Sequence, residues 1–407
     1  MTTRRRFPLL AGRDGRALLA ISIVARLPLA MLTIAILVHA QQVTGSFAVA
    51  GLACSAFAVG GALASPLAGR LVDRHGQTFV LVGGALLTAA ALIALGLAPG
   101  DSPRALLVAL AGAAGLATPP LEACVRTLLP AIVSRPSQLP ALFALESSLL
   151  EVTFVAGPPL ALGLGAVWST GAALVASGLI LLVGTVAFAT RRVSRGWRPD
   201  PAVARVRGGS LRAAAIRVLV VIDLGTGIVF GATEVGVTAS AKHVAGAAAA
   251  APVLALWGAG SLLGGLIVTR WGDRLRRVLQ LPVLLVALAV LHGALVVSTH
   301  SLALMGAIIL LAGATIAPMT SVLYVMVDRF APAGTETEAF SWLFTSSCTG
   351  AAVGAAVAGA LVQAVGPGAA FAFAGVAGGL AAAVAMLGSH HLAPRRPVAI
   401  CEAAALS

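Results

Sequence analysis

Seven ionisable residues fall inside long apolar stretches: Arg26, Glu122, Arg126, Glu146, Glu151, Asp223 and Glu234. A charge is costly in such surroundings, so each is a functional candidate by default. A carboxyl group held there can bind and release a proton, and an arginine can neutralise it or bind an anion. Spacing sorts them. Glu122 and Arg126 are four apart with the acid first, the favourable order for a pair on one helix face. Glu146 and Glu151 are five apart, about 140° around a helix, so they do not point squarely at one place. Asp223 and Glu234 are separated by about three turns and share a face, ~16 Å apart in height. A second set of charges lies between apolar stretches. Residues 69–76 read GRLVDRHG, and 200 positions later Arg270, Asp273 and Arg274 stand where Arg70, Asp73 and Arg74 stood.

The elements that must position these groups are helices in a bilayer. Of the 407 residues, 59% are hydrophobic and 10% charged, against about 25% charged in a soluble domain. Stretches of roughly 20 apolar residues recur, each long enough to cross ~30 Å of hydrocarbon. They are continuous, without the alternation of barrel strands, and only helices or closed barrels satisfy the backbone there. Twelve spans are expected, at about 17–40, 47–69, 78–98, 104–131, 139–165, 167–190, 215–241, 247–270, 278–299, 302–327, 337–363 and 367–389. Arg4 to Arg6 before the first span resemble a secretion signal, but the span is longer than a signal core and is read as an uncleaved first helix.

The net charge of +13 is carried mostly by arginines in a few short loops. That is the positive-inside pattern, with no aromatic interleaving for nucleic acid. With both termini in the cytoplasm, Arg70, Arg74, Arg135, Arg270, Arg274 and the linker fall inside, leaving Arg104 and Lys242 outside. Residues 191–214, with seven arginines, divide the chain into 1–190 and 215–407. The halves echo one another: Gly60 falls on Gly260 and Asp73 on Asp273 with a shift of 200, and Gly157 on Gly354 with a shift of 197. Two parallel six-helix repeats point to a transporter with its site near midplane. Cys54, Cys124, Cys348 and Cys401 form no close pair, and six of the seven histidines (His39, His75, His292, His300, His390, His391) are read as scattered over ends and loops without metal-ligand spacing. No Gly-rich nucleotide loop or nucleophile constellation marks an enzyme. No cofactor is expected, and energy would come from an ion gradient.

Gly69, Leu71, Asp73, Arg74 and Gly76 match, in register, the G-x-L-x-D-R-x-G-R-[RK] signature of the major facilitator superfamily. With twelve spans and an internal repeat, the chain resembles that family over essentially its whole length. It departs at Gln77 and Thr78, where the family has basic residues. The resemblance implies an all-α membrane protein of two pseudo-symmetric six-helix bundles working by alternating access. It implies that Asp73 caps the eleventh helix and holds the halves together with Arg70 and Arg74, in a multi-pass plasma-membrane protein. The alternative for this turn is a plain topology anchor, and Asp273 and Arg274 would be a degraded second copy. Glu122 and Arg126 would join this gate, as would Glu336 and Glu338 at the start of the eleventh helix.

In the family, the first and seventh helices line the central cavity. Arg26 and Asp223 are therefore expected to pair across it, as a functional or a structural ion pair. Glu234 is expected toward the periplasmic side, as a proton-coupling group or as a residue facing water at the outer mouth. One of Glu146 and Glu151 should face the cavity. Gly157 and Pro158 resemble part of an exporter motif in the fifth helix, and an ordinary kink is the alternative. The cavity helices carry a single tyrosine, Tyr324, which disfavours a sugar porter. The expected function is proton-coupled export of small hydrophobic or cationic compounds by a monomer. The alternative is import of a small organic anion bound by Arg26.

Overall fold

The computed structural model describes residues 12–100, 102–197, 209–271 and 280–392. Asp273, Arg274 and much of the linker lie outside the described residues. Within them, twelve helices are long and apolar enough to span a membrane: α1 Asp14–Thr44, α2 Phe47–His75, α3 Gln77–Gly96, α4 Arg104–Ile132, α5 Pro136–Val167, α6 Thr170–Ala189, α7 Ala214–Ala245, α8 Ala250–Trp271, α9 Leu281–Ser298, α10 Leu302–Phe330, α11 Glu336–Ala364 and α12 Pro367–Leu387. The expected spans correspond one to one.

Helix length follows a period of three. The third, sixth, ninth and twelfth helices are short (18–21 residues) and strongly apolar, with mean hydropathy 2.0–2.4. The least apolar are α4, α5 and α11, at 1.4–1.5. A short apolar helix suits the lipid-facing periphery, and a long, more polar one suits the centre. Contacts agree. In the first six helices α1 packs on α5 and α6, α2 on α4, and α3 on α6. In the second six the counterparts appear: α7 on α11 and α12, α8 on α10, and α9 on α12.

Small residues make these contacts possible, since lipid tails give helices no hydrophobic drive to associate. A Cβ on Gly60 would stand 2.8 Å from the Gly112 carbonyl of α4, and one on Gly260 would meet the Leu310 carbonyl of α10. On Gly157 it would stand 2.6 Å from the Ala30 Cβ of α1, and on Gly354 it would meet Ile228 of α7. The repeat read from sequence is thus a repeat of packing sites. α5 runs unbroken through Pro158 and Pro159. α4 and α10 are instead interrupted, at Thr118-Pro119-Pro120 and at Ala314-Thr315. Pro119 and Pro120 lack the N–H groups that would continue the ladder.

The halves meet through α2–α11, α5–α8, α5–α10 and α4–α11. Among the described residues, the hydrogen bonds found between halves lie from the end carrying both termini up to Ala62–Thr345 and Glu151–Ser261, near midspan. The bundle is therefore closed at its termini end.

Candidate functional site

The closure begins at the α2–α3 turn. Gly69 gives α2 no side chain where it crosses α11: a Cβ there would collide with Ser341 and stand 2.9 Å from the Thr337 carbonyl. One turn on, Asp73 is buried and its two carboxylate oxygens accept the N–H groups of Thr337 (3.1 Å) and Glu338 (2.8 Å), the first turn of α11. These are orphan donors at the positive end of a helix dipole, so an anion is the matching group. Arg70 donates to both oxygens of Glu338, at 3.2 and 2.8 Å. Arg74 is exposed, and Gly76 ends α2 at φ 90°. Glu336 accepts from the Gly334 N–H, holding the turn before α11. Gln77, where the signature has a base, is fully buried. It donates to the Cys124 carbonyl of α4 and accepts from Ser194 of the linker.

Above this seal lies a chain of four charges, three of them buried and Glu122 partly exposed. Arg26 Nη1 pairs with Glu146 Oε1, and Arg26 Nε donates to the Ser22 carbonyl at 3.2 Å. The other Glu146 oxygen accepts from Arg126 Nε at 3.4 Å, and Arg126 Nη2 reaches Glu122 at 3.4 Å. Two arginines and two glutamates balance, as charges removed from water must. The Arg126 guanidinium stacks 4.2 Å over the Tyr324 ring of α10, a cation–π contact that joins the halves. Phe143 of α5 and Phe340 of α11 pack edgewise on Tyr324, at 5.8 and 6.0 Å. Glu122 and Arg126 are thus a pair, as their spacing implies, but their described partners are Glu146 and Tyr324, not the α2–α3 turn.

Arg26 does not pair with Asp223. Spacing along each helix gives height but not azimuth, and Arg26 turns to α5 within its own half. Asp223 accepts from Thr226 Oγ1 (3.2 Å) and from Ser346 Oγ of α11 (3.3 Å). Each hydroxyl has a nearer backbone acceptor: Asp223 O at 2.9 Å for Thr226 and Leu343 O at 2.8 Å for Ser346. Glu151 accepts from Ser261 of α8 at 3.2 Å across the gap between halves, so it is Glu151, and not Glu146, that leaves its own half. Glu234 is exposed about two-thirds along α7 from the termini end, toward the side expected. Two histidines read as end or loop residues are internal. His39 bonds Leu95 O and Thr170, tying α1 to α3 and α6, and His292 is fully buried in α9. Ser261, Ser346 and the Trp257–His292 bond (3.2 Å) were not legible in sequence, because each partner sits on another helix.

The family model described as Major Facilitator Superfamily matches residues 18–239 and 218–400. Among solved structures, the chain is similar to a bacterial homologue of the iron transporter ferroportin in an outward-facing state. That match has a TM-score of 0.76 at 18% identity, over 93% of this chain and 100% of the other. The same homologue with soaked iron matches equally. The human organic anion transporter MFSD10 (TETRAN) matches with a TM-score of 0.69 at 15% identity, over 92% of this chain and 100% of the other. At these identities the likeness is one of fold. No functionally curated protein matches the chain.

Proposed function

The chain belongs to the major facilitator superfamily and is a multi-pass membrane transporter, not an enzyme; from that premise we propose that it exports small hydrophobic or cationic compounds in exchange for protons. The arginine-rich termini end is taken as cytoplasmic, so the conformation described above faces outward. The supporting observation is the charge balance between the halves. Arg26 and Arg126 are neutralised by Glu122 and Glu146. Asp223 and Glu151 meet hydroxyls, Glu234 is exposed, and among the described residues none of the three forms an ion pair. When ionised, these acids give the space a negative field that draws in cations and repels anions.

The same acids suit proton exchange. Thr226 and Ser346 share their single hydrogens with nearer carbonyls, so an ionised Asp223 is poorly served. A protonated one completes the network by donating to Ser346 Oγ. Import of an anion by Arg26 has less support, since Arg26 is 1% exposed and engaged by Glu146 and Ser22. The iron of the ferroportin homologue is not carried over, since at 18% identity the likeness is one of fold.

The test is reconstitution into liposomes enclosing a pH dye, with an imposed proton gradient and ethidium as the first compound. Ethidium should provoke proton release in wild type, and Glu234→Gln or Asp223→Asn should abolish it while the protein still folds. Movement of compound without protons would make the protein a facilitator. Full coupling in both variants would remove these acids from the mechanism.

A further inference from the structure

We propose that Phe230, Trp257 and Glu234 form a subsite for the delocalised or quaternary charge of an organic cation, with His292 as the positioning residue that holds the Trp257 indole. The proposal rests on the reading of the protein as a cation exporter and names where that cation is recognised. His292 is fully buried in an apolar helix, where an unpaired imidazole would be costly. Its partners fix its state. Leu288 O, 2.8 Å from Nδ1, can only accept, and the indole Nε1–H of Trp257, 3.2 Å from Nε2, can only donate. The proton is therefore on Nδ1 and the ring is neutral. It satisfies the tryptophan without placing a competing positive charge beside it.

In front of this lock, the Phe230 and Trp257 rings meet edge to face, with centroids 5.6 Å apart and planes at 75°. His292 backs both, 5.9 Å from Trp257 and 6.4 Å from Phe230. Both aromatic residues stay partly exposed, and Glu234, one turn beyond Phe230, is exposed. Four residues turn a helix by about 40° beyond a full circle, so Phe230 and Glu234 share a face. A carboxylate exposed within the span, about two-thirds along α7 from the termini end, faces water, not lipid, so that face belongs to the outer part of the cavity. A second carboxylate approaches the same stretch of α8: a Cβ on Gly258 would stand 3.8 Å from Glu151 Oε2. Aromatic faces with a carboxylate one turn away recognise a soft cation by its charge and its apolar surface together.

The test is binding of tetraphenylphosphonium to the full-length protein in detergent, by calorimetry, against tetraphenylborate, the anion of the same shape. Wild type should prefer the phosphonium. Trp257→Ala and Glu234→Gln should each weaken it about tenfold and narrow its preference over the borate, which Glu234→Gln should bind no more weakly than wild type does. His292→Leu should act like Trp257→Ala, and His292→Gln, whose carbonyl can accept from the indole, should restore affinity. Trp257→Phe keeps an aromatic face if the alanine variant fails to fold, and should retain most of the preference. Unchanged phosphonium binding in Trp257→Ala and Glu234→Gln overturns the subsite and leaves cation export standing. A wild type that binds both ions equally overturns the subsite and the cation reading together.

Discussion

Replacing Asp73 by asparagine tests the gate at one atom. The aspartate accepts two N–H groups of α11, from Thr337 and Glu338 at 3.1 and 2.8 Å. Asparagine keeps one acceptor and turns an NH2 toward the other donor. One charge-assisted hydrogen bond is worth about 1.5–3 kcal/mol, and an anion at a partly buried helix N-terminus adds up to about 2. A loss of roughly 2–4 kcal/mol shifts the closed-to-open ratio of this end by about thirty- to several-hundred-fold. Arg74 and Arg329 are both exposed at that end, one in each half, and can carry spin labels in a background without the native cysteines. Electron–electron distance measurements in lipid should find wild type mostly short and Asp73→Asn with a substantial long-distance population. Arg70→Ala should also open this end, because it strips the buried Glu338 carboxylate of the cation that holds both its oxygens. Identical distributions for wild type and a folded Asp73→Asn would refute the capping role.

Gly69→Val should prop the termini end open, because its side chain has no room against Ser341 and Thr337, and transport should fall to background; retained transport would show that the helices part there without consequence. Arg26→Ala leaves Glu146 with only its 3.4 Å contact to Arg126, and should cost about 3–5 kcal/mol, read as a lowered melting temperature. The double variant Arg26→Met, Glu146→Leu should recover much of that loss. Glu151→Gln keeps the Ser261 bond and removes the charge, so its melting temperature should hold while the apparent affinity for ethidium falls.

The bilayer helices, the repeat and the α2–α3 turn were legible because each is written locally, in run length, glycine register and a charged turn. Asp73 could be aimed at α11 only through family resemblance. Azimuth between helices was not legible. Arg26 and Asp223 share a depth on pseudo-symmetric helices, yet Arg26 turns to Glu146 and Asp223 to Ser346. The break in α4 had a signal in Thr118-Pro119-Pro120, which hydropathy alone passes over. His292 and Trp257 are 35 residues apart on different helices, and nothing in the sequence joins them.

The central claim is that uncompensated acids exchange protons for a cation. The most direct measurement is ethidium accumulation in vesicles with an acidic lumen, comparing wild type with the triple variant Glu151→Gln, Asp223→Asn, Glu234→Gln. Accumulation is expected only in wild type and only while the gradient lasts. Accumulation that ignores the gradient, or that persists in the triple variant, would contradict the claim.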